Sequence, residues 1–157
     1  MTAEEWALIA CVVFSGLWSG LLVMLTQILH PMMARMTGPE FARFLRAFLP
    51  IARKAPINLI AVIGMVVAPA VALFLLESGE TPFVLTAIGL VLTIAGPLLV
   101  SNRLSEPNYD VMLAWDPDHP PEGWETNRGR YFTFDWIRAV ATWAAFGLFL
   151  AALVDVT

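Results

Sequence analysis

Apolar and charged positions are sharply segregated along this chain. Residues 6–34, 55–76, 81–102 and 139–154 contain no Asp, Glu, Lys or Arg, and the charged side chains fall between these windows or at the chain ends. The windows are 29, 22, 22 and 16 residues long. A helix crosses the hydrocarbon core of a bilayer with about 20 apolar residues, so each window predicts a transmembrane helix. The first is longer than needed and must tilt or emerge at one end. The fourth reaches full length by recruiting Trp136, Ile137 and the stem of Arg138, whose guanidinium can extend to the interface. No window shows the period-two alternation of an outer-membrane barrel strand. The pattern predicts an all-α integral membrane four-helix bundle, one domain over 1–157, with spans at 6–31, 56–76, 82–102 and 136–154.

The connections differ in kind. In the first, Thr37 can cap a helix opening at Gly38-Pro39, where an early proline does no harm. Phe41, Phe44, Leu45, Phe48 and Leu49 then follow the helical i, i+3, i+4, i+7, i+8 rule, with Arg43 and Arg46 off the stripe. This predicts an amphipathic interfacial helix between spans one and two. It either lies on the membrane surface or covers one end of the bundle. The second connection, Glu77-Ser78-Gly79-Glu80, is a tight turn that makes spans two and three antiparallel neighbours. The third, 103–135, is long. Its stretch from Asp116 to Pro121 breaks any helix, and the chain reads helical again from about Glu122.

Composition sharpens this picture. Of 157 residues, 59% are hydrophobic and 14% charged, and 89 positions lie in the charge-free windows. A soluble domain carries about 25% charged residues, and too few remain here to coat one. A net charge of −4 excludes a nucleic-acid binder, and a single cysteine excludes a disulfide scaffold. Cys11 reads as a packed small hydrophobe. The start is acidic, with Glu4 and Glu5 before a long apolar run, which predicts a retained first span rather than a cleaved leader. Arg35, Arg43, Arg46, Arg53, Lys54, Arg103, Arg128 and Arg130 all fall in the connections 32–55 and 103–135. The positive-inside rule then places both long loops in the cytoplasm and both termini outside a cytoplasmic (inner) membrane.

Polar side chains at membrane depth report which helix faces meet. Thr86, Gly89, Thr93 and Gly96 form a small, weakly polar stripe predicted to face the bundle. Pro97 follows and should kink the helix. Gly16 and Gly20 are a small-xxx-small pair, able to admit another helix or a partner protein. Gln27, His30, Asn58, Asn102 and Arg138 are all expected in one third of the bundle, near the basic loops, with Asp135 one turn before Arg138. Such a set is either a pocket for a flat, partly polar molecule or a group of helix ends tying off polar atoms. Trp6, Trp124 and Trp136 fit an interface belt. Asp116, Asp118 and His119 lack metal-ligand spacing. A haem would need two axial ligands, and the two histidines, His30 and His119, are poorly placed for that. No phosphate-cradling loop or dinucleotide fingerprint occurs, so neither metal nor cofactor is expected.

Four segments carry a family resemblance over about 16–152. They are the Gly16/Gly20 span ending in His30-Pro31, the sequence Pro56-Ile57-Asn58, the sequence Ser101-Asn102-Arg103-Leu104, and the run from Trp124 to Arg138, Trp-Glu-Thr-Asn-Arg-Gly-Arg-Tyr-Phe-Thr-Phe-Asp-Trp-Ile-Arg. Together they resemble the four-span anthrone oxygenase-like membrane family, much of it without assigned activity. Arg130, Ile137 and Arg138 match its pattern. Tyr131 and Phe134 replace tryptophans, and Asp135 replaces an asparagine. The stretch 116–123 is peculiar to this chain. The resemblance implies oxygenation of an activated aromatic CH₂ without metal or flavin. It makes His30 or Asp135 the base, with His30 preferred because an Asp135–Arg138 ion pair weakens Asp135 as a base. Asn102, Arg130 and Arg138 become oxyanion donors. Trp18, Trp124 and Trp136 stack on the substrate. Gln27 and Asn58, from the polar set at membrane depth, complete the pocket. Two other readings stay open: an accessory or scaffold protein, and a lipid or quinone carrier.

Overall fold

A computed structural model describes residues 1–157. Five helices account for nearly all of it: α1 (Ala3–Ala34), α2 (Gly38–Lys54), α3 (Pro56–Leu75), α4 (Thr81–Leu113) and α5 (Trp124–Val156). There are no strands. All but α2 are long and apolar enough to cross a membrane, so this is an all-α, multi-pass membrane protein. Phe74, Val91 and Val140 are among many apolar side chains exposed on the outside, as contact with lipid requires. The helices form a ring in which α1 packs on α3 and α5, and α4 packs on α3 and α5.

Small residues set how closely the helices approach. A Cβ on Gly64 would lie 2.3 Å from the Phe14 ring, one on Gly89 2.5 Å from Phe149, and one on Gly96 2.3 Å from the Ala141 Cβ. The predicted stripe on α4 does face inward: Thr86, Gly89, Thr93 and Gly96 are all buried. Cys11 is fully buried among Leu8, Ala68, Ala72 and Phe149 at the end that holds both termini.

Two helices widen into π-helical turns, at Leu25–Leu29 in α1 and Ile94–Ser105 in α4. Each wide stretch adjoins prolines: Pro31 in the first case, Pro97 and Pro107 in the second. A proline lacks the N–H and its ring collides with the carbonyl four residues back, and a wider turn relieves both. The helix therefore does not stop at Asn102. Its amide donates back to the Leu98 carbonyl at 2.9 Å, and α4 continues to Leu113. The expected 33-residue loop (103–135) shrinks to the ten residues 114–123, because α5 resumes at Trp124. A charged helix looks like a loop when the absence of charge is the guide.

α4 and α5 have 33 residues each and α3 has 20. At 1.5 Å per residue the difference is about 20 Å. A tight turn joins α3 to α4 near Gly79, so the excess of α4 projects at the opposite end, beside the basic residues. There α2 meets it. Glu40 Oε2 accepts from the Thr37 N–H and hydroxyl, both at 2.8 Å, and fixes the start of α2. Its stripe of Phe41, Ala42, Leu45 and Leu49 is buried against Met33, Tyr109, Met112, Trp115 and Tyr131. Of the two placements open to this helix, it takes the cover. Arg43 pairs with Asp118, and Arg46 donates to the Trp115 carbonyl at 2.6 Å.

Candidate functional site

A buried polar network lies where α1, α4 and α5 meet. His30 follows the wide turn of α1, and its Nε2 is 2.9 Å from Asp135 Oδ2. The other carboxylate oxygen of Asp135 accepts from Arg138, one turn on. Arg138 also donates to Ser101 Oγ at 3.0 Å and to the Tyr109 hydroxyl at 3.2 Å, both on α4. His30, Asp135 and Arg138 are 4%, 0% and 8% exposed. Phe132 stacks on the His30 ring at 4.3 Å. A buried arginine is costly unless paired and hydrogen-bonded, and here it is both. His30 Nδ1 and Arg138 Nε are buried without a partner.

Beside this network is a cavity of about 740 Å³ between α1, α3 and α4, roofed by the last turns of α2. Its wall is mostly aliphatic and aromatic, with Trp18, Leu25, Phe48, Leu49, Val62 and Pro97 among its members. Its polar members are Arg138, Tyr109, Tyr131, Ser101, Asn58 and Asn102, of which Arg138, Ser101 and Tyr109 are joined by hydrogen bonds. Arg53 and Glu106 line it as well and form an ion pair, and Arg53 also reaches Asp110 at 2.9 Å. Burial would lower the Arg53 pKa, but the carboxylates of Asp110 and Glu106 outweigh it and hold the guanidinium above its ordinary value.

The expected site residues divide accordingly. Trp18, Asn58, Asn102 and Arg138 share the cavity wall, and His30 and Asp135 join Arg138 in the network behind it. Neither His30 nor Asp135 lines the cavity. Asn58 is engaged too: its amide donates to the Ala52 carbonyl at 2.7 Å and ties the end of α2 to the start of α3.

Four expected members lie elsewhere. Gln27 is exposed on another face of α1, in a shallow surface hollow with Arg35 and Glu40, because the wide turn rotates it away. Arg130 is exposed. Trp124 packs on Phe41 and under Arg128, whose guanidinium sits 4.5 Å from its ring and donates to the Met33, Ala34 and Met36 carbonyls at the end of α1. Trp136 is 40% exposed and meets Trp143 edge-on. Asp116 and His119 pair at 3.2 Å, while Asp118 is taken by Arg43. Gly16 faces Phe146 of its own chain, whereas nothing lies within 4 Å of a Cβ on Gly20.

Tyr109, Tyr131, Arg53 and Glu106 were not expected. Tyr109 stands seven residues, about two turns, beyond Asn102, and reading the helix on through Asn102 would have found it. Tyr131 stands four and seven residues before Asp135 and Arg138, on the same face of α5. The chain matches no protein-family model, no curated protein and no solved structure.

Proposed function

We propose that the protein is an oxidoreductase of the inner membrane, its basic end in the cytoplasm, that binds an anthrone- or quinol-like aromatic molecule and oxidises it with dioxygen. The observation that carries this reading is the cavity of about 740 Å³ whose mostly apolar wall includes a hydrogen-bonded group of Arg138, Tyr109 and Ser101 built on a buried arginine. Its size is that of a small-molecule site, and a few placed polar groups in an apolar wall are how such sites orient a ligand.

The chemistry needs little machinery. A base removes a proton from the activated CH₂, and the resulting anion is delocalised through the rings onto the carbonyl oxygen. It passes one electron to dioxygen, and the carbon radical and superoxide combine to a peroxide. Loss of the second proton and cleavage of the O–O bond leave the carbonyl and one water. Arg138 and Tyr109, themselves buried, are donors for the developing oxyanion. Glu106 is the one carboxylate on the wall and is assigned the proton, although its pair with Arg53 weakens it as a base just as Arg138 weakens Asp135. His30 and Asp135 are positioning residues that hold Arg138. The test is oxygen uptake by the full chain in lipid nanodiscs with anthrone. One dioxygen per anthraquinone is expected, with about a hundredfold or greater loss in Arg138→Gln, the size of one lost oxyanion donor. An uptake no faster than in empty nanodiscs overturns the catalytic part.

A second reading, a carrier that binds without chemistry, is favoured by one observation: both bases implied by the resemblance lie off the cavity wall. It predicts thermal stabilisation by anthraquinone with no oxygen consumed.

A further inference from the structure

The cavity is closed toward the chain termini and open on one flank. Toward the chain termini, α1 and α3 are in direct contact, since Gly64 lets the helix lie against the Phe14 ring with no room for a Cβ. Toward the basic end α2 is the roof, with Leu49 only 3% exposed, and the cavity edge there is polar, formed by the Arg53–Glu106 pair and the exposed Asn102. Between these limits, four aliphatic side chains face both ways. Leu21 and Met24 on α1, and Ile57 and Leu59 on α3, line the cavity and are also exposed on the outer surface, Met24 by 51% and Leu59 by 64%. They form the rim of an opening beside the first turns of α3, at the depth of the leaflet next to the basic loops.

We infer that the cavity exchanges its occupant sideways with this leaflet, so that its ligand is a bilayer-dissolved hydrophobe with one oxygen-bearing head. The inference rests on the cavity being a ligand site, as proposed above. The rim chemistry selects for it. On this flank a charged or strongly hydrated solute would have to shed its water to pass four apolar side chains, whereas an apolar one loses nothing by leaving lipid tails for this wall. The bound orientation follows: the head lies at Arg138 and Tyr109, and the apolar body trails toward Met24 and Leu59.

Cysteine accessibility tests the route in the full chain reconstituted in liposomes. Leu25→Cys, and separately Val62→Cys, are introduced on the cavity wall of a Cys11→Ala variant. Phe74→Cys, on the lipid face, and Glu122→Cys, on the exposed connection, serve as references. Each is exposed to membrane-dissolved pyrenyl maleimide and to a charged, water-soluble methanethiosulfonate. The wall cysteines are expected to react with the pyrene reagent at a rate within about tenfold of Phe74→Cys, and with the charged reagent at least about tenfold more slowly than Glu122→Cys. Labelling by the charged reagent at the Glu122→Cys rate overturns the inference, and so does the absence of labelling by either reagent at both positions. Anthraquinone is expected to slow the pyrene reaction. Labelling that proceeds unchanged under saturating anthraquinone leaves the sideways route standing and removes the ligand reading instead.

Discussion

Asp135 is the residue on which the network depends. It is fully buried and holds a histidine with one oxygen and an arginine with the other. Breaking one side of a buried ion pair leaves a charge without compensation, a loss of about 3–5 kcal/mol. Asp135→Asn is therefore expected to lower the melting temperature sharply in detergent, and Asp135→Asn with Arg138→Gln to recover part of the loss. A double variant no more stable than the single one would show that the pair is not what the site depends on. The half of this network within α5 was legible in the sequence, because residues three apart on a helix face one another. The His30 link was not, since it joins positions 105 apart that only tertiary packing brings together. Asn102 shows the opposite failure. Its type suggested a helix end, but its side chain bonds back to Leu98 and the helix runs on.

At the scale of elements, the spans could be read because the bilayer imposes length and apolarity on each helix independently. The inward stripe of α4 was legible for a related reason: glycines and threonines mark where backbones come close. The extension of α4 and the docking of α2 were not, since water-facing helices carry the same charges as loops. Glycine positions give a paired prediction. Gly96→Ala places a Cβ 2.3 Å from that of Ala141 and is expected to destabilise by about 1–3 kcal/mol. Gly20→Ala meets nothing within 4 Å and is expected to be neutral or stabilising. Chemical denaturation in mixed micelles separates the two; equal effects would contradict the close α4–α5 contact.

The start of α2 is pH-sensitive in a stated direction. The Thr37 backbone N–H, then its hydroxyl, hold the Glu40 carboxyl below its ordinary value of 4.5. A depressed carboxylate contributes stability above its unfolded pKa and loses it as pH falls through the folded value. Hydrogen exchange in the first turn of α2 is thus expected to quicken on acidification below about pH 4, and the response should vanish in Glu40→Gln. The same response in that variant would assign it to another group.

The whole molecule combines a closely packed half with a hollow one. Near the termini, glycines bring the helices into contact. Toward the basic loops a second buried cluster packs α2 onto α1, α4 and α5, and beside it a cavity of about 740 Å³ remains under α2. Lipid tails or detergent entering a hollow of that size through its open flank pack less closely than a side chain or a fitted ligand, so a better-fitting occupant adds stability. Ligand at a hundred times its dissociation constant would add about 2.7 kcal/mol. Val62→Phe places a ring in this space from the α3 side and leaves Arg138, Tyr109 and Glu106 unaltered. Without ligand it is expected to melt above the wild type, because the ring gains contacts the valine lacked. With anthraquinone the wild type is expected to rise toward it, while Val62→Phe shifts little. Melting curves of both proteins, with and without anthraquinone, decide the matter. If Val62→Phe melts lower than wild type and keeps the full ligand response, the hollow is neither empty space nor the ligand's place, and the assignment of function to this end of the bundle fails with it.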